Sequence, residues 1–506
     1  MLPTAMRVRD ASLHLGCALR NEEVRICAML AIVRRKLNEL SPIAMLPPEI
    51  LEEVFHICVS WLYDSQKPKH RLAWTQVCCS WRRISLESSR LWRRIDLCEP
   101  RFADEFLVRS RQAPLSVVCA SPLKTNTPVN LALHANRLRT IDVFLYPEVV
   151  TSFFSSVGPT LCNLTNLSLK VPPLSPTVYL PFSMPLLRYL NLDGVAVPWD
   201  DCRNLTHLSL RSLSPELCPS IKQVHDICSR SPNLEHIRLE GLVPSCLEVA
   251  SKPPVSLVNL KEVIISGDQH LVSTLLSGLA LGPAARIRLF TSLTESLHSV
   301  FPQGRPWVPC DANTVRTISL SRNGAQVFKT GTQAWSRSEE PNQLLFSLSS
   351  AVSVKTHISG SLSHLFDLSN VTKLELNTGF LYDVPVDALK SLLDNLPNLE
   401  TICTAFNDLE GLFTVLRAVD PSSGRVYAPK LKNLSFSKPS DLWFHFKDRW
   451  LAALVDVARF RHLSSHPIHT VEFLRCQGIS EVSIAELQDI VPHTIVTLKS
   501  ATNSGF

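Results

Sequence analysis

The feature that most constrains this chain is a spaced apolar triplet, apolar-x-x-apolar-x-apolar, that recurs along most of its length. The clearest copies are Leu138/Ile141/Val143, Leu164/Leu167/Leu169, Leu187/Leu190/Leu192, Leu205/Leu208/Leu210, Leu234/Ile237/Leu239 and Leu260/Val263/Ile265. Further copies follow at Val315/Ile318/Leu320, Val371/Leu374/Leu376, Leu431/Leu434/Phe436 and Ile468/Val471/Phe473. The first six begin 26, 23, 18, 29 and 26 residues apart, and the later spacing is longer and less regular. The alternating end of each triplet reads as a short strand with one buried face. One such strand cannot close a core, whereas neighbours stacked at a near-constant period can. The period is near that of leucine-rich repeats.

Helix-like stretches at Ser220–Cys228 and Val386–Leu396 lie between triplets and would form the layer behind the strands. A Pro-Asn-Leu step recurs at Pro232-Asn233-Leu234 and Pro397-Asn398-Leu399. The expected fold is α/β, a leucine-rich-repeat-like solenoid with a parallel sheet. The competing reading is a generic α/β domain with Leu-rich strands.

The repeats leave about a hundred residues upstream. A chain of 506 residues is too long for one ordinary core. Three zones are expected: an N-terminal helical segment over 1–40, a small helical unit over 41–97, and the repeat region over 98–506, its first strand-like step at Ile95-Asp96-Leu97. In the first zone Ile26, Leu30, Val33, Leu37 and Leu40 form an apolar helical stripe. That stripe packs on the next domain or pairs two chains; two heptads are too few for a stable coiled coil. In the second zone Ser41-Pro42 ends the helix, and Leu46-Pro47-Pro48-Glu49 opens another. Ile50, Leu51, Val54, Phe55 and Cys58 read as one apolar face, and Trp74, Val77, Cys78, Trp81 and Ile84 as the face of a second helix.

Apolar content of 45% with 19% charged residues is globular. A net charge of +6 over so large a surface does not point to nucleic acid. The Trp81-Arg82-Arg83 and Trp92-Arg93-Arg94 steps place each Trp at an apolar helical position instead. No apolar run reaches membrane-spanning length, and no signal-peptide core is visible. Fifteen scattered cysteines without a CxxC pair fit reduced thiols in the cytoplasm or nucleus.

No phosphate loop, dinucleotide fingerprint or nucleophile elbow occurs, so no catalytic residue and no cofactor is expected. His462, His466, His469 and Cys476 could be imagined as zinc ligands, but Pro467 breaks the helix that would align them. No metal site is expected there or at Cys78–Cys79.

The second zone resembles an F-box. The stretch from Leu46 to Phe55 resembles its opening, Val77-Cys78-Cys79-Ser80-Trp81-Arg82-Arg83-Ile84 its second half, and Leu91-Trp92 before Ile95-Asp96-Leu97 its close. The order of the three blocks is similar to the large F-box family of mushroom-forming fungi, whose members often carry a leading helix and a leucine-rich-repeat-like C-terminal region. The segment Val59–Arg71 is longer and more charged than in compact boxes. The resemblance implies a non-enzymatic substrate receptor of a Skp-cullin-F-box type ubiquitin ligase. Leu46, Pro47, Ile50, Leu51, Val54, Phe55, Val77, Cys78, Trp81, Leu91 and Trp92 would bind a Skp-type adaptor, and through it a cullin, or form the box's own core. The repeats would hold a protein substrate. The alternative is a scaffold with the same parts that works outside any ligase.

Overall fold

The computed structural model describes residues 2–62, 68–124, 131–243, 253–282, 285–292, 300–301, 315–329, 344–350, 362–363, 365–377, 380–382, 384–404, 409–437, 444–474, 476–477, 479 and 481–497. The chain forms two compact units, Met1–Leu164 and Thr165–Phe506. No helix among the described residues is long and apolar enough to cross a membrane.

The first unit opens with helix α1, Leu2–Glu39. Its stripe of Ile26, Leu30, Val33, Leu37 and Leu40 is exposed throughout, so the expected packing on the next domain is not made among the described residues. Helix α2, Pro48–Leu62, starts as its proline dictates, with Glu49 in the first turn complementing the helix dipole. The second expected helix is divided. Trp74 sits in a 3-10 stretch, Pro68–Gln76, and α3 runs only over Cys79–Glu87. Cys78 is extended rather than helical: its sulfur caps α3, accepting the Trp81 N–H at 3.5 Å. Strand β1, Arg94–Asp96, pairs in parallel with β2, Leu115–Leu123, and β2 with β3, Leu138–Leu145. Helix α4, Pro100–Arg109, connects β1 to β2, and α5, Pro147–Val157, follows β3.

The second unit is built on a large, mainly parallel sheet. Its first half contains β4 (Asn166–Lys170), β5 (Tyr189–Asp193), β6 (His207–Arg211), β7 (His236–Glu240), β8 (Glu262–Asp268) and β9 (Arg286–Ser292), each parallel to the next. Next in the chain come β10 (Thr317–Ser321), β11 (Gly324–Phe328) and β12 (Leu344–Ser349), but they enter the sheet in reverse. Strand β12 pairs with β9, the antiparallel β11 lies between β12 and β10, and β10 pairs with β13, Lys373–Leu376. Parallel order then resumes through β14 (Thr401–Thr404), β15 (Asn433–Ser437), β16 (Thr470–Leu474) and β17 (His493–Thr497).

Every residue of the ten apolar triplets is buried. Register explains why. Leu167, Leu190, Leu208, Ile237, Val263 and Ile287 are successive partners in one row, and Leu169, Leu192, Leu210, Leu239, Ile265 and Leu289 in the next. Both rows continue across the reversed segment, through Phe346, Val327, Ile318 and Leu374 and through Leu348, Ala325, Leu320 and Leu376. Helices α6 (Ile221–Ser229), α7 (Gln269–Ser277), α8 (Val386–Asp394), α9 (Glu410–Leu416) and α10 (Asp448–Leu463) bury their own apolar stripes. Helix α6 begins with a full capping box, Ser220 with Gln223.

The Pro-Asn-Leu recurrence marks two equivalent joints. Leu234 and Leu399 are buried, and the next residues, Glu235 and Glu400, pair with Lys261 and Lys432 of the following repeat at 2.6 and 3.4 Å. The backbone carbonyls of the same glutamates accept the N–H groups of those lysines.

Candidate functional site

Two exposed surfaces stand out, one on each unit. In the first unit, α2 carries two apolar stripes rather than the single face expected. Leu51, Phe55 and Val59 recur at four-residue steps and are buried. Ile50, Val54 and Ile57 lie on the neighbouring stripe and are 50%, 36% and 44% exposed, and Cys58 beside them is exposed as well. Leu46 and Pro47, just ahead of the helix, and Val77, ahead of α3, are exposed too, Val77 to 57%.

The buried stripe is held by aromatic packing. Phe55 lies 4.8 Å from the half-buried Trp81 and 6.4 Å from Trp74. Leu91 and Trp92 are buried; the Trp92 indole N–H donates to the Ser85 carbonyl at 2.8 Å, and its ring meets Phe106 edge-on at 5.0 Å. Arg109 lies over the Trp92 ring at 4.6 Å. The Ser88 hydroxyl donates to Glu52, and Arg90 pairs with Glu53 at 3.5 Å, joining α2 to the segment before β1. Of the residues singled out in the sequence, Leu46, Pro47, Ile50, Val54 and Val77 are therefore on the surface. Leu51, Phe55, Leu91 and Trp92 form the core, with Cys78 and Trp81 half-buried at its edge. Ile57 belongs with the exposed group, and its helical step from Ile50 and Val54 was the available signal.

In the second unit, the outward-facing positions of β5 to β8 form cross-strand columns. The first column runs Tyr189, His207, His236, Glu262. The Tyr189 and His207 rings are 5.1 Å apart, and those of His207 and His236 stack at 4.5 Å and 17°. His236 Nδ1 lies 3.8 Å from a Glu262 oxygen, whose other oxygen lies 3.2 Å from Arg288 Nε. Burial and the neighbouring His236 push the His207 imidazole below its usual range. A further column pairs Arg211 with Asp193 at 3.5 Å. Farther along the sheet, Lys373 and Glu375 pair at 2.7 Å with both side chains almost buried. Cys403 on the neighbouring strand has its thiol pushed up to about 12 by burial, which makes it a poor nucleophile.

The histidines weighed as zinc ligands are dispersed. His462 lies in the last turn of α10, His466 follows the helix end, and His469 begins the approach to β16. Cys476 is buried, its thiol donating to the Phe436 carbonyl at 3.5 Å.

No family model and no curated protein matches the chain. Among solved structures, the crystal structure of a TLR13–ssRNA13 complex aligns at 16% identity with a TM-score of 0.31, covering 72% of this chain and 43% of that one. At that score the likeness bears on neither fold nor function. The repeat architecture rests on the strand register described above.

Proposed function

We propose that this protein is a non-enzymatic receptor that joins a constant adaptor to a variable protein target, as a Skp-cullin-F-box type ubiquitin ligase requires. The helical part of the first unit acts as the box. Leu46, Pro47, Ile50, Val54, Ile57 and Val77 meet a Skp-type adaptor, which holds the cullin. Leu51, Phe55, Trp81, Leu91 and Trp92 keep the box folded. The outward face of the repeat sheet takes the target.

The observation that carries this reading is the pair of stripes on α2. A helix that buries one apolar stripe in its own core while exposing a second has a face suited to another apolar surface. The first of the three sequence blocks that resemble an F-box contributes most of that face, and the other two follow it in the chain. The proline-rich start of α2 favours the reading too, since it fixes Leu46 and Pro47 beside Ile50.

The test is co-elution of the purified chain with a Skp-type adaptor, and its loss in Leu46→Ala/Pro47→Ala while the second unit stays folded. Absence of binding by the wild-type chain would falsify the proposal. A target that binds the repeats but keeps the same ubiquitination and half-life when the chain is deleted would favour the scaffold reading.

A further inference from the structure

We propose that His207, Glu235 and His236 form a binding site for a zinc-class divalent cation on the outward face of the repeat sheet. One ligand atom from each of the three residues lies within 4.8 Å of the others. Neighbouring parallel strands lie about 4.8 Å apart, so two histidines at matched register stack side by side with their nitrogens close. His207 and His236 are such a pair, in direct register on β6 and β7. A bound zinc holds its nitrogens at about 2.0–2.1 Å. His207 and His236 are held in strand register, and Glu235 follows the buried Leu234, so the backbone under the three side chains is set by the fold.

The surroundings fit a ligand set. His207 Nδ1 lies 3.0 Å from the Thr206 hydroxyl, a contact of the kind that orients a metal-bound imidazole, and His236 Nδ1 faces the Glu262 carboxylate 3.8 Å away. Imidazole with one carboxylate suits zinc, copper or nickel better than magnesium or calcium. Three protein ligands leave a fourth tetrahedral position for water, unlike the closed four-ligand set of a structural zinc site.

Among the described residues, Lys261 opposes the cation directly. The Lys261 ammonium pairs with Glu235 at 2.6 Å, and the metal must displace it. The lysine side chain is 58% exposed on a flexible stem, so it can swing into water. This competition gives the site a signature that adventitious binding lacks.

The experiment is Zn²⁺ titration of the full chain against a chromophoric chelator, with a phosphine reductant keeping the cysteines reduced. The expected result is one equivalent lost, or weakened at least about tenfold, in His207→Gln/His236→Gln. Lys261→Met should tighten the same equivalent several-fold. Unchanged binding in the double variant would overturn the proposal. Should that variant fold poorly by circular dichroism, Lys261→Met decides alone: unchanged or weaker zinc affinity there refutes the site. The outcome is independent of adaptor binding.

Discussion

The exposed stripe of α2 and the exposed face of the sheet differ in chemistry. On α2 the outward residues are Ile50, Val54 and Ile57, with Leu46 and Val77 nearby. On β5 to β8 they are Tyr189, Asp193, His207, Arg211, His236 and Glu262, most of them already paired across strands. An apolar stripe left in water gains from any partner that covers it, and its buried anchors set the affinity. A paired polar face gains little from burial alone and discriminates by matching charge and hydrogen bonds. The first kind of surface suits one constant partner and the second a selected one.

The comparison breaks most readily inside α2. Phe55→Ala removes the ring that packs on Trp74 and Trp81, and about 3–5 kcal/mol of stability of the first unit should go with it. Ile50→Ser, one stripe away, should leave stability within about 0.5 kcal/mol. Denaturant unfolding of the two variants checks both; equal losses would mean that the stripes are not distinct.

Gly324 tests the reversed strands, which lie farther along the sheet. A Cβ there would lie 2.1 Å from the Leu348 carbonyl oxygen on β12. Gly324→Val should cost about 1–3 kcal/mol by forcing β11 off its neighbour, seen as a lower unfolding midpoint. Thr404 acts in the opposite direction. It occupies an apolar row beside Phe436, is buried, and its hydroxyl has no hydrogen-bond partner among the described residues. Thr404→Val should raise stability by about 1 kcal/mol.

The smallest expected effect is the pH response of the histidine stack. His207 has a folded-state pKa below the ordinary 6.5. The unfolded chain therefore takes up this proton first as pH falls. The contribution is complete above about 6.5 and is lost as pH falls below that value toward the folded pKa. His207→Gln should narrow the drop in melting temperature between pH 7 and 5 compared with wild type.

The buried rows were legible in the sequence because each needs only local alternation of apolar residues, as in Leu205/Leu208/Leu210. The copy at Leu399/Ile402 is masked in the sequence because Thr404 takes the last position, where a hydroxyl hides a core site. The reversed order of β10 to β12 was not legible, since an apolar triplet such as Val315/Ile318/Leu320 is the same in either order. The two stripes of α2 read as one because adjacent helical stripes both consist of apolar residues, and only packing against Trp74 and Trp81 separates them. The stacked histidines leave no mark in the sequence, because His207 and His236 are brought together by strand register rather than sequence spacing.

The central claim is that the exposed stripe of α2, and not its buried neighbour, meets the adaptor. The most direct measurement is calorimetric titration of a Skp-type adaptor into the wild-type chain and into Ile50→Asp/Val54→Asp. The account predicts saturable binding by the wild type and at least about a hundredfold loss in the variant, with the variant's unfolding midpoint unchanged. Equal affinity in the two proteins would contradict it.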